Sequence, residues 1–94
     1  MAYEIVLSKR FQNKLVSLLE YLEKEWGKKV ADDFLTKVDL RISSLQRHPF
    51  IGTLTTITHV RSIHISRHNR MYYKVVDNTV TILNLYDTRT KNYS

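Results

Sequence analysis

Residues 70–86 read RMYYKVVDNTVTILNLY, and this stretch decides the fold. β-Branched and aromatic residues dominate both sides of Asp77-Asn78, a two-residue connector of the kind that tolerates positive φ. Residues 70–76 and 79–86 are therefore expected to pair as a β-hairpin. The turn also sets a register, because side chains alternate between faces with period two. Val75 then faces Val80, Tyr73 faces Ile82 and Met71 faces Asn84 on one side. Lys74 faces Thr81, Tyr72 faces Leu83 and Arg70 faces Leu85 on the other. The first set suits packing under helices. The second mixes cations, aromatic rings and aliphatic groups, so Arg70, Tyr72 and Lys74 are expected to share one uncovered side.

Working toward the N-terminus, residues 59–66 read as a further strand, joined to the hairpin by a turn around Arg67 and His68 that leaves the register open. Residues 50–58 form a loop with four threonines and Gly52, for which the sequence predicts no regular structure. Before it lie two helical patterns. Phe11, Leu15, Leu18, Leu19, Leu22 and Trp26 recur at spacings of three and four, as one apolar stripe of an amphipathic helix. Ala31, Phe34, Leu35, Val38, Ile42 and Leu45 make the stripe of a second helix over residues 29–46. Ser8 stands where an N-cap is wanted, Gly27 where a left-handed helix end is wanted, and Pro49 stops the second helix. So short a break at Gly27 predicts an antiparallel helical hairpin, with Trp26 closing the core at its tip. Tyr3, Ile5 and Leu7 alternate with Glu4 and Val6, which suits a first strand. The expected class is α+β in the order β-α-α-β-β-β: a four-stranded, mainly antiparallel sheet with the helical hairpin packed on one face, in a single domain over residues 1–94.

Composition bounds the function. The chain has 94 residues, with 43% hydrophobic and 26% charged, which suits one globular core rather than a disordered chain. Cysteine is absent, which removes disulfides and thiolate metal sites and fits a reducing compartment. No apolar run is long enough to span a membrane, and the opening Met1-Ala2-Tyr3-Glu4 lacks the pattern of a signal peptide, so a cytoplasmic location is expected. The net charge of +6 is unevenly placed: residues 1–46 carry 8 Lys/Arg against 7 Asp/Glu, whereas residues 47–94 carry 7 against 2. A basic half attracts nucleic acid, an acidic protein or an anionic surface. His59, His64 and His68 lie close in sequence, but their spacing is not that of a zinc motif and no metal or other cofactor is expected.

Several segments together resemble the RelE/ParE superfamily of toxins from type II toxin–antitoxin systems. The opening YEIVLSKRFQNKL is similar to the first strand and helix start of these proteins. Residues 21–45, with Trp26-Gly27, Ala31 and Phe34-Leu35, resemble the helical hairpin of the ParE-like branch, and HPFIG at residues 48–52 resembles its Pro-x-x-Gly connection. The last three strands carry an Arg-x-x-Tyr pattern at Arg70 to Tyr73 and a late Arg89. The resemblance implies growth arrest, a plasmid-stabilisation role and a cognate antitoxin that holds the toxin inactive. It also allows a homodimer. An open, basic, partly apolar sheet face suits a segment that folds on binding and is acidic on balance.

The superfamily divides by target, and the fold alone does not choose. One branch resembles ribosome-dependent mRNA endonucleases. Metal-free RNA cleavage needs a base, an acid and cations for the charge building on the phosphate. By resemblance, Arg70 and Arg89 would stabilise that charge, Tyr93 would work on the 2′-hydroxyl, and His64 would serve as acid or base. This chain departs from the endonuclease pattern, because Ser62 and His64 stand nearest to where that branch carries a lysine pair. The other branch resembles inhibitors of DNA gyrase, which need no catalytic constellation, and the helical hairpin with its Pro-x-x-Gly connection favours it. Under either reading Arg61, Arg67, Arg70, Tyr72, Lys74 and Arg89 are the expected binding residues. A third reading is a non-toxic RNA-binding module, in which interleaved Arg and Tyr on an open sheet stack and neutralise an unpaired strand.

Overall fold

The structure is a computed structural model and describes residues 2–87. Strand β1 (Glu4–Leu7) leads into helices α1 (Lys9–Trp26) and α2 (Lys28–Arg47), followed by β2 (Thr53–Leu54), β3 (Val60–Ser66), β4 (Asn69–Val76) and β5 (Thr79–Asp87). The strands form one sheet in the order β1-β5-β4-β3-β2. All neighbours are antiparallel except β1, which lies parallel to β5 at the margin. Among the described residues no helix is long and apolar enough to cross a membrane.

Local chemistry sets the helix ends. The Ser8 hydroxyl accepts from the Phe11 N–H at 3.0 Å and so caps α1. The same hydroxyl donates to the Leu83 carbonyl at 2.9 Å, which ties the start of α1 to β5. Gly27 alone separates the helices and adopts φ 97°, a conformation that favours glycine. His48 closes α2, and Pro49 comes directly after it. Both helices lay their apolar stripes on one face of the sheet. Phe11, Leu18 and Leu22 of α1 and Ala31, Phe34, Val38 and Leu45 of α2 pack on Ile65, Met71, Tyr73, Val75, Val80, Ile82 and Leu85.

The structure corrects three expectations. The sheet has five strands rather than four, because Thr53 and Leu54, in the loop that carried no strand signal, pair with Ser62 and Arg61. The hairpin register holds from Val76 opposite Thr79 back to Tyr73 opposite Ile82, then shifts. Leu83 is an extra residue on β5, so Tyr72 faces Asn84, Met71 faces Leu85 and Arg70 faces Tyr86. Such a bulge opposes two residues to one and reverses the sidedness of the residues beyond it. Here it carries Leu85 into the core, where it is fully buried; burying such a side chain stabilises by about 1.5–3 kcal/mol. Finally, Trp26 does not close the core. It is 59% exposed, because at the hairpin tip the stripe has run past the elements it could pack against.

The segment between α2 and β3 is held from below by Tyr73. Its ring is fully buried, and its hydroxyl accepts from the Gly52 N–H at 2.9 Å. A Cβ at residue 52 would stand 2.6 Å from that hydroxyl and 2.7 Å from the Ser62 carbonyl, so only glycine fits there. Tyr73→Phe removes the acceptor and leaves the amide unpaired, at a cost of about 1–3 kcal/mol. The expected outcome in urea unfolding is a lower midpoint with an unchanged slope; an unchanged midpoint would mean that the bond contributes nothing. Burial raises the Tyr73 phenol above its ordinary 10.0, against smaller opposing effects of the Gly52 hydrogen bond and the Arg61 charge. In the unfolded chain this phenol ionises near its ordinary value, whereas the folded chain keeps it neutral. Its contribution is therefore complete below that pH and is lost as pH rises through the folded value. Stability should fall more steeply above about pH 10 in the parent chain than in Tyr73→Phe.

Candidate functional site

The sheet face turned away from the helices is formed by residues whose chain neighbours are core. Met71, Tyr73 and Val75 are buried under the helices, so Arg70, Tyr72 and Lys74 project to the opposite side. Their partners on β3 are His64, Ser62 and Val60, and on β5 Tyr86, Asn84 and Thr81. Directly paired residues share a face. Three contiguous regions result.

At one end the Arg70 guanidinium donates through Nη1 to the Ser62 hydroxyl at 2.5 Å and through Nη2 to His64 Nε2 at 2.9 Å. An arginine can only donate, so Nε2 is the acceptor in this contact. With Arg41 of α2 and Thr53 these residues border a cavity of about 350 Å³ that has no carboxylate in its walls.

The middle is aromatic and aliphatic. Tyr72 and Tyr86 meet edge to face with centroids 5.5 Å apart, and Asn84 Nδ2 donates to the Tyr86 hydroxyl at 3.0 Å. Together with Ile57, Val60 and Leu83 they line an open cavity of about 510 Å³.

At the β5 margin the first turns of α1 come round the edge of the sheet. Lys14 Nζ lies 4.1 Å from the centroid of the Tyr86 ring, a cation–π contact. Arg10, Asn13, Lys14 and Tyr86 border a further cavity. Burial, and then the like charge of Arg10, pushes the Lys14 ammonium below its ordinary pKa. Arg10, Lys14 and Tyr86 were not among the site residues expected from sequence. The one signal for the two cations is their spacing of four on the polar side of the α1 stripe, directly after the Ser8 cap.

The remaining expected residues lie elsewhere. Arg61 is paired with Tyr73 and so belongs to the covered side. Its Nη1 donates to the carbonyls of Phe50 at 3.1 Å and Gly52 at 2.9 Å, and its guanidinium stands 5.2 Å from the centroid of the Phe50 ring. Arg67 sits in the β3–β4 turn and borders a cavity with Phe34 and Lys37 of α2, away from Arg70. His59 precedes β3 at φ 66° and His68 occupies the β3–β4 turn, so the histidines do not gather around His64. Arg89 and Tyr93 lie outside the described residues.

The two arginines are thus expected to respond differently to truncation. Arg61→Ala removes two hydrogen bonds from a charged donor to the segment over Tyr73, each worth about 1.5–3 kcal/mol. Arg70→Ala, on the open face, should change stability by no more than about 0.5 kcal/mol. Urea midpoints of the two variants check this, and equal losses would contradict the assignment of the two side chains to opposite faces.

Known proteins share this architecture. A family model described as "ParE toxin of type II toxin-antitoxin system, parDE" matches residues 5–91. No curated protein sequence matches the chain. Among solved structures, the chain is similar to the chromosomal ParDE toxin–antitoxin system from P. aeruginosa, with a TM-score of 0.79 and 13% identity over 92% of this chain and 96% of that one. It is also similar to the YoeB dimer from Staphylococcus aureus (TM-score 0.65, 16% identity, 92% and 97% covered). A third is the E. coli DinJ-YafQ toxin–antitoxin complex (TM-score 0.66, 12% identity, 95% and 96% covered). At such identities these likenesses establish the shared fold, and the match over residues 5–91 establishes the family. The chain belongs to the ParE toxin family of type II toxin–antitoxin systems, within the RelE/ParE superfamily.

Proposed function

We propose that this chain arrests bacterial growth by binding DNA gyrase in the cytoplasm, without chemistry of its own, and that a cognate antitoxin neutralises it by covering the open sheet face. The observation that carries this reading is the state of Arg70. Its guanidinium is held by a hydroxyl and an imidazole, Ser62 and His64, where metal-free RNA cleavage would call for further cations beside it. A protein that acts by binding needs none. The ParE family match supports the same choice. The antitoxin is the partner that a basic, partly apolar and open face suits, and the P. aeruginosa and E. coli relatives are described as toxin–antitoxin systems.

Expression of the chain without a partner should stop bacterial growth; normal growth at confirmed soluble expression would sink the toxin reading. Purified protein should block gyrase supercoiling and leave mRNA on ribosomes intact.

A second reading has its own support, because Arg70 and His64 stand 2.9 Å apart on the open face, within reach of one phosphate. If the protein cuts mRNA and leaves supercoiling untouched, this endonuclease reading replaces the first. Arg70→Ala should then lower cleavage by about 10²-fold or more, and unchanged cleavage would remove Arg70 from the site.

A further inference from the structure

The apolar cavity of the open face and the cationic margin on α1 share one wall. β1 pairs with β5 only from Glu4 opposite Thr79 to Leu7 opposite Ile82, so from Leu83 onward no strand covers that edge among the described residues. The Ser8 bond to the Leu83 carbonyl brings the first turns of α1 there instead. Arg10 and Lys14 stand one turn apart on that helix and meet Tyr86 from one side. Val60, Tyr72, Leu83 and Ile57 meet it from the other. The bulge at Leu83 is what turns Tyr86 outward, opposite Arg70, and so joins the two regions.

We infer that this compound surface docks a partner segment carrying a bulky apolar side chain flanked by carboxylates. The apolar group fills the cavity beside Tyr72, the chain passes over Tyr86, and the carboxylates meet Arg10 and Lys14. This rests on the reading that the open face belongs to an antitoxin, and it names the chemistry by which that partner is recognised.

Charge decides the occupant. Neither cavity has an Asp or Glu in its walls. The only acidic residues after residue 47 are Asp77, in the β4–β5 turn, and Asp87, which is buried and accepts from Asn69 Nδ2 at 3.0 Å. A carboxylate arriving at Arg10 and Lys14 relieves the repulsion between those two cations. A second copy of the chain, with a net charge of +6, would add to it.

The test uses the full chain and a fluorescein-labelled ten-residue peptide alternating Glu and Leu, with two matched peptides bearing Lys for Glu or Ser for Leu. Fluorescence anisotropy should show binding of the Glu-Leu peptide alone. The double variant Arg10→Glu, Lys14→Glu should weaken that binding about tenfold or more and should admit the Lys-Leu peptide. Ile57→Asp, at a residue 64% exposed, should weaken it by a similar factor without disturbing the fold, checked by circular dichroism. Failure of the Glu-Leu peptide to bind, equal binding by the variants, or equal binding of the Glu-Ser peptide would overturn the proposal. So would sedimentation of the free chain as a dimer that Ile57→Asp dissociates, since the face would then belong to a second copy. Growth arrest is scored separately. Arrest without peptide binding sinks the docking surface alone, and peptide binding without arrest sinks the toxin reading alone.

Discussion

One extra residue in β5 governs both faces of the sheet. Up to Ile82 the strand alternates as the hairpin turn dictates; at Leu83 two residues oppose one, and every later side chain changes sides. Without that shift Leu85 would lie on the open face and Tyr86 would point under the helices. With it, Leu85 completes the core against Met71, while Tyr86 stands outside against Tyr72. The carbonyl of the extra residue is not left unpaired, because the Ser8 hydroxyl donates to it while capping α1. A single hydroxyl thus serves the start of a helix and the irregularity in a strand far along the chain, and it fixes where Arg10 and Lys14 emerge.

The two strand arginines show how sidedness assigns roles to residues of one type. Arg61 and Arg70 lie on neighbouring strands, and both were expected to bind a partner. Arg61 instead secures the segment at residues 50–52 from the covered side, together with Tyr73. Arg70 meets Ser62 and His64 on the open side. The first acts on the geometry of the fold, and the second is available to whatever arrives at the sheet.

Much of this was legible in the sequence. Asp77-Asn78 with its flanking alternation predicted the hairpin and placed Arg70, Tyr72 and Lys74 together, because period two is a strict constraint near a tight turn. The helix boundaries came from Ser8, Gly27 and Pro49. The bulge was not legible: Leu83 is an ordinary strand residue, and what stabilises the irregularity is a serine seventy-five positions away in sequence. β2 escaped notice because two residues carry no periodicity. Trp26 misled because a helical stripe reports direction and not whether anything lies there to be packed against. Arg10 and Lys14 join the candidate site only through that same long-range contact, and the face of Arg61 depended on a turn whose register the sequence left open.

The margins of the sheet have a consequence of their own. One border strand is four residues long and the other two. Borders so brief present few free amides and carbonyls on which a foreign strand could grow, which protects against fibre-like stacking of copies. A visitor to this protein must therefore be recognised by the shape and charge of side chains, which change by single substitutions, rather than by backbone pairing, which is blind to sequence. Related pairs in one cell can on this basis diverge in partner choice while the scaffold beneath stays the same.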